Sequence, residues 1–396
     1  VKTLFQSATV FLLFGLVIQP VQAAFKNLYV FGDALSATIN EPGTRNAPGA
    51  PYYYGQRWSN GRVWVEVLAQ RQGLTYDPSK NNSYYDHNSS NLVTDVNNFT
   101  APADVANDLF IVWVCNADTF DAAQIPDNAT QWNAAIAKAQ TNHLQIITTL
   151  YAKGVRTLIL PNAVDISEIP AFNAGTTLTN VEHTGCVAYN VAFSNTISQA
   201  RAMCPGLTIY TPDFFTLLNN VLTNSANYGL TNALSGGFSI DAYDDPSIAN
   251  LTLNGQGTNY VFWDSQDPTA QFHEVIADVV QQIISPVQIS KLAVLGSSNR
   301  LDVVNVPLGL NGLVLGSTNL APANWIAVTN GSFSSTSLSQ SIFVVAPVLP
   351  PSTPGGGSGG SGSIDPNGGG SGGTYIPPFN AAQFYRLQFP YAWTWP

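Results

Sequence analysis

Carboxylates, histidines and thiols are the side chains of this sequence equipped for chemistry, and their spacing is the first guide to their use. Asp264 and Asp267 stand three residues apart in Phe262-Trp263-Asp264-Ser265-Gln266-Asp267-Pro268-Thr269, just before a helical pattern. With Asp33, at the end of an apolar run, they make a set of oxygen donors of the kind that holds Ca²⁺ or Mg²⁺. An Asp followed by Pro is also a favourable N-cap and first helical residue, its carboxylate facing the positive helix end. The cap is the simpler reading of Asp267, so neither a metal nor another cofactor is expected.

His273 lies six residues past Asp267, on the same helical pattern, and reads as a packing or supporting residue rather than a base. His87, His143 and His183 stand alone on polar loops or helix faces and receive no role. Cys115 ends an apolar run and reads as a small buried side chain rather than a reactive thiol. Cys186 and Cys204 bracket Val187 to Ala202, which reads as one helix. Such a helix holds its ends about 24 Å apart, whereas a disulfide needs Cα atoms within about 7 Å. Three free thiols are expected.

Alternating strands and helices must position these groups. Leu28 to Phe31, Leu109 to Val114, Thr157 to Leu160 and Leu207 to Tyr210 are short apolar runs suited to buried parallel strands. Between and after them, helical spacing runs through Val63 to Leu68, Asn128 to Lys153, Thr179 to Ala202, Phe214 to Leu222 and Pro268 to Ile284. Leu74 to Asp104 reads as a polar loop. This alternation predicts a parallel sheet covered on both faces over residues 25–287.

From about Ile289 the pattern changes to short strand-like runs, Leu301 to Val306, Gly312 to Gly316, Trp325 to Val328, Ser341 to Val345 and Phe384 to Leu387. They predict a small all-β domain over 291–396, interrupted by a disordered Pro/Gly/Ser-rich loop at 350–373. Phe389, Tyr391, Trp393 and Trp395 close the chain, and are read as a plug in the core of that domain.

A formal net charge of -10 without a Lys/Arg cluster argues against nucleic acid as a partner and against docking on anionic membranes. Lys2, the apolar run Ala8 to Ile18, Pro20 and Val21-Gln22-Ala23 read as a signal peptide over 1–23, and hence as a secreted, periplasmic or cell-surface protein. No other segment reaches the roughly 18 apolar residues of a membrane span.

Four blocks in order resemble those of the GDSL (SGNH) lipases and esterases: Phe31-Gly32-Asp33-Ala34-Leu35-Ser36, Trp58-Ser59-Asn60-Gly61-Arg62-Val63-Trp64, Asp108 to Asp118, and Phe262 to Thr269. The resemblance spans roughly residues 25 to 285. It implies a three-layer α/β/α, flavodoxin-like fold and nucleophilic acyl transfer, in which a Ser attacks an ester, a His takes its proton, an Asp orients the His, and backbone and Asn donors hold the oxyanion.

Position by position, the chain departs from that plan. The nucleophile position is Ala34, and the base position is Asp267, while the orienting Asp264 is kept. The oxyanion Asn position is Ala117, with Asn116 one place early as a shifted donor whose side chain, on a strand end, would face the other way. Gly61 retains the place of an oxyanion backbone donor. Losing nucleophile or base alone costs on the order of 10⁶ in turnover. Ser36, about 7 Å further along an extended chain, is a poor substitute.

The expectation is therefore a catalytically degenerate binding protein whose residual cleft, with Tyr52-Tyr53-Tyr54, Trp58 and Trp64 nearby, takes an acyl ester, a lipid or an acetylated sugar. An active carboxylic-ester hydrolase with an unrecognised nucleophile and a polysaccharide-binding protein acting through its C-terminal domain are the alternatives.

Overall fold

Leu28–Gly32 (β1) is extended and buried because its apolar side chains are sandwiched on both faces of a sheet. The computed structural model describes residues 25–41, 47, 49–124, 129–173, 176–295, 298–317, 323–345 and 384–390. Within it, β1, Asn81–Ser83 (β2), Leu109–Trp113 (β3), Thr157–Ile159 (β4) and Thr208–Tyr210 (β5) form one sheet in the order β2-β1-β3-β4-β5. Every pairing is parallel. A Cβ added at Gly32 would come within 2.9 Å of Ser83 Oγ and 3.1 Å of the Trp113 carbonyl oxygen, so glycine lets three strand ends converge there.

Trp64–Arg71 (α1), Phe214–Thr223 (α6) and Ala270–Ile284 (α7) form one helical layer, with Trp64 edge-on to both Trp113 and Phe214. Ser89–Asn98 (α2), Cys115–Ala123 (α3), Ala129–Ala152 (α4) and Thr176–Met203 (α5) pack against one another as the second. The three-layer α/β/α arrangement is as expected from the sequence. Leu234–Ser235 (β6) and Phe238–Ser239 (β7) add a two-residue hairpin.

Three segments differ from the sequence reading. The stretch from Leu74 to Asp104 is not a loop throughout: it holds β2 and α2. Asn88 Oδ1 accepts from Ser90 N at 2.8 Å and Asn91 Oδ1 accepts from Asn88 N, which starts the helix, while Leu92 and Val96 bury its inner stripe. Beyond β3 the chain turns straight into α3, so Asn116 sits on a first helical turn and not on a strand end. Helix α7 begins at Ala270, capped by Thr269 accepting from Phe272 N. Asp267 is therefore not its N-cap.

The C-terminal part is two three-stranded antiparallel sheets. Gln288–Leu295 (β8), Ser298–Val304 (β9) and Ser339–Val345 (β12) make one, and Asn311–Ser317 (β10), Ile326–Ser334 (β11) and Phe384–Gln388 (β13) the other. Leu301, Val303, Val314, Ile342, Val344 and Phe389 fill the space between them. Strand β8 starts at Gln288, ahead of the expected strands. Phe389 is a core plug; Tyr391, Trp393, Trp395, the signal-like 1–23 and the 350–373 tract lie outside the described residues.

Arg71 ties the two parts together. It is buried, pairs with Asp278 of α7 at 2.6 Å, and donates to the Leu308 carbonyl, while Leu308 N returns a bond to the Arg71 carbonyl. Cys115, Cys186 and Cys204 are buried and unpaired with one another. No described helix is long and apolar enough to cross a membrane.

A candidate active-site cleft at the strand ends

In an open parallel sheet, ligands meet the chain where it leaves the carboxyl ends of the strands. Here the segments leaving β1, β2 and β3 converge with the turn before α7 around a cleft of about 60 Å³. Its walls are Asp33, Ala34 and Leu35 after β1, Tyr85 and Asp86 after β2, Ala117, Phe120 and Asp121 on α3, and Gln266 and Asp267. The sequence-predicted Ala34, Ala117 and Asp267 thus come together.

The remaining predicted positions fall elsewhere. Gly61 does not line this cleft: it packs against α7, where an added Cβ would lie 2.6 Å from the Ala270 Cβ. Asn116 faces a separate apolar cavity. Asp264 is buried just behind Asp267.

A tight turn fixes these two carboxylates. Trp263 N donates to the Asp267 carbonyl at 2.8 Å, Thr269 N to the Val261 carbonyl, and Trp263 Nε1 to the Tyr52 carbonyl. Asp264 Oδ1 accepts from the backbone N–H groups of Gln266 and Asp267, both at 2.9 Å. Its Oδ2 accepts from the Tyr53 hydroxyl at 2.7 Å. Burial raises the Asp264 carboxyl above its usual range, against the hydrogen bonds of Gln266, Tyr53 and Asp267. Tyr53 leans on Trp58, which in turn stacks at a tilt on Tyr85 with centroids 4.7 Å apart. Ala34 packs against this aromatic group, while Tyr52, Tyr54 and Tyr243 are exposed at its outer edge.

Burial also pushes Asp33 up to about 7, despite hydrogen bonds from the backbone of Leu35 and Ala117. Those bonds make it a clasp between the turn after β1 and α3. Burial raises Asp121 as well. Four carboxyl groups, those of Asp33, Asp86, Asp121 and Asp267, stand on the cleft walls. Among the described residues no group of three or more His, Cys, Asp or Glu is arranged to hold a metal ion.

None of the four histidines lines the cleft. His273 is fully buried with neither ring nitrogen hydrogen-bonded, and burial lowers it to about 3. His87, read from sequence as lying on a polar loop, is buried between Glu41 and Asp95. His183 meets the buried Asp165 at 2.5 Å. His143 is fully buried beneath the cleft, its Nε2 3.0 Å from Tyr189 Oη, 3.3 Å from Asp118 Oδ2 and 3.9 Å from Cys115 Sγ. Tyr189 donates to Asp118 at 2.9 Å, and Asp118 Oδ1 accepts from Ser89 N, so this network joins α2, α3, α4 and α5. Burial pushes the Cys115 thiol well up, which leaves it protonated and unreactive.

The sequence reading missed Tyr85, Asp86, Phe120, Asp121 and Gln266. The signal for Tyr85 and Asp86 was the short run Asn81 to Ser83 just before them, that for Phe120 and Asp121 their place about two turns beyond the end of β3, and that for Gln266 its place beside Asp267 in the fourth block.

The family model for GDSL-like lipase/acylhydrolase matches residues 28–280. No curated protein sequence matches the chain. Solved structures with a similar course include the acetyl xylan esterase AlAXEase, 9% identical with a TM-score of 0.38, covering 65% of this chain and 99% of that one. A catalytic mutant of an acetylxylan esterase from Geobacillus stearothermophilus is 12% identical with a TM-score of 0.38, over 65% and 94%. An extracellular lipase from Streptomyces rimosus is 13% identical with a TM-score of 0.35, over 65% and 99%.

Proposed function

Since the chain belongs to the GDSL-like lipase/acylhydrolase family, we propose that it is a catalytically silent member, exported from the cytoplasm, that binds an acyl ester, a lipid or an acetylated sugar in the cleft without cleaving it. One observation carries this reading: the cleft walls contain no Ser, Cys or His among the described residues. Acyl transfer needs an atom that attacks the carbonyl and a base that takes its proton. Ala34 offers a methyl group where the first would sit, and Asp267 offers a second carboxylate beside Asp264.

The surroundings support retention of binding. Tyr85 and Phe120 supply apolar contact, and Asp33, Asp86, Asp121, Gln266 and Asp267 supply acceptors suited to hydroxyl groups. Asp86 and Asp267, on walls that hold no Lys, Arg or His among the described residues, disfavour an anionic ligand.

Incubation of the full chain with a fluorophosphonate probe and, separately, with p-nitrophenyl acetate tests the proposal. The expected result is no covalent adduct and hydrolysis at the rate of buffer. A stoichiometric phosphonate adduct at any side chain would establish an active hydrolase with an unforeseen nucleophile, and overturn it.

A further inference from the structure

Six triplets of the form Asn-x-Ser/Thr, with no Pro between, stand in the sequence: Asn81-Asn82-Ser83, Asn88-Ser89-Ser90, Asn98-Phe99-Thr100, Asn128-Ala129-Thr130, Asn250-Leu251-Thr252 and Asn330-Gly331-Ser332. In an exported chain this pattern is the acceptor for an N-linked glycan. The sugar is bonded to the side-chain Nδ2, so the fold must leave that atom in solvent. The triplets differ on this point.

Asn81 is buried, and its Nδ2 donates to the Ser36 carbonyl at 2.7 Å, to Tyr76 Oη at 2.9 Å and to Thr38 Oγ1 at 3.2 Å. Asn88 is half-buried; its Nδ2 donates to Asp121 Oδ2 at 2.7 Å while its Oδ1 caps α2. A glycan on either amide would break bonds that the fold uses. Asn128 lies outside the described residues.

Asn98, Asn250 and Asn330 are exposed, as are Thr100, Thr252 and Ser332, the hydroxyl residues that complete their triplets. Asn98 is the last residue of α2, and Lys153 Nζ donates to the carbonyls of Asn97 and Phe99 on either side of it. Asn250 lies on a loop whose Ile248 and Leu251 pack inward on the aromatic group of Tyr53 and Trp58. Asn330 stands on a protrusion of β11. Ala327 pairs with Leu315 and Ser332 with Leu313, so Val328 to Gly331 oppose Val314 alone. The φ of 61° at Asn330 is left-handed, a conformation that Asn tolerates better than most residues.

We propose that Asn98, Asn250 and Asn330 are N-glycosylation sites and that Asn81 and Asn88 are not. The donor is a lipid-linked oligosaccharyl diphosphate: its anomeric C–O bond breaks, the C1–Nδ2 bond forms, one amide proton is released and the lipid diphosphate leaves. Three hydrated glycans also suit a surface with few charges, since 10% of residues are charged against about a quarter in a typical chain. The proposal rests on the export inferred above and not on the silence of the cleft, whose walls include none of the three.

Peptide mass mapping of the full chain made in a yeast host, before and after enzymatic removal of N-glycans, tests it. One preparation uses the chain's own N-terminus, and a second places a host leader ahead of the full chain. The expected result is a glycan on Asn98, Asn250 and Asn330 in both, with Asn81 and Asn88 bare. Thr100→Ala, Thr252→Ala and Ser332→Ala keep the Asn and should each remove one step from the gel ladder, whereas Thr252→Ser keeps every step. The wild-type map stands even where a variant fails to fold. Glycans present only behind the host leader would leave the sites standing and overturn export from this N-terminus. A chain recovered from the medium or the secretory membranes behind that leader and bare at all three Asn would overturn the proposal. So would a glycan on Asn81 or Asn88 in chain with an unchanged melting curve.

Discussion

Tyr53 donates its hydroxyl hydrogen to Asp264 Oδ2 over 2.7 Å, across a separation of 211 residues. The oxygen is thereby engaged with a phenol held protonated by burial and by the carboxylate itself. Tyr53→Phe leaves a buried acceptor unmatched, and a loss of about 1–3 kcal/mol in urea unfolding is the expected outcome.

Restoring the missing pair is the sharpest test of the cleft. Ala34→Ser alone gives a hydroxyl with no base, and p-nitrophenyl acetate hydrolysis stays at background. Ala34→Ser with Asp267→His places an imidazole next to Asp264, and turnover rises roughly tenfold or more. A double variant that is folded and inert would show that the walls no longer admit an ester.

Stability should rise as pH falls from about 7 towards 4 on account of Asp33. Its folded value, about 7, lies above that of an ordinary carboxyl. The folded state therefore holds the proton more tightly, so the contribution is complete below the unfolded value and is lost as pH climbs through the folded one. Burial raises Asp278, Asp241 and Glu182 to about 6, and these act in the same sense. Asp33→Asn keeps the acceptor for Leu35 N, and thermal melts of this variant should lose part of the slope between pH 4 and 7.

His273 acts with the opposite sign. A base lowered to about 3 in the folded state stabilises above its unfolded value, and that contribution fades as pH falls from about 6.5 towards 3. His273→Phe, which removes two unpaired nitrogens, should leave the protein at least as stable at neutral pH and clearly more resistant to acid. A shift of the acid-unfolding midpoint to higher pH would contradict this account.

Arg71→Ala should cost about 3–5 kcal/mol, because it strands the buried Asp278 carboxylate. Amide exchange should quicken around Leu308 as well as in α7, since the guanidinium and the backbone of Arg71 both hold that residue. Arg71→Met with Asp278→Leu should recover most of the loss.

The sheet was legible because Leu28–Gly32 and Leu109–Trp113 are apolar runs too short for helices. Helix α2 was hidden: of its ten residues Leu92 and Val96 are the buried apolar ones, set among polar neighbours, and its start depends on Asn88 and Asn91. The cap at Asp267 was a reasonable local choice, but tertiary bonds from Trp263 and Thr269 hold that stretch in a turn and delay the helix to Ala270. Cys115 and Asp118 on α3, His143 on α4 and Tyr189 on α5 meet across three helices. No periodicity joins positions so far apart, which is why His143 looked solitary.

At Gly61 the chain lies so close to Ala270 that a single methyl group would collide with the helix behind the cleft. The residue touches no ligand-facing wall, yet it sets the standoff between the segment before α1 and the stretch carrying Gln266 and Asp267. Enlarging it would act like a shim driven under a hinge, displacing that wall as one piece, and the cleft would change its width without a change in any of its own side chains.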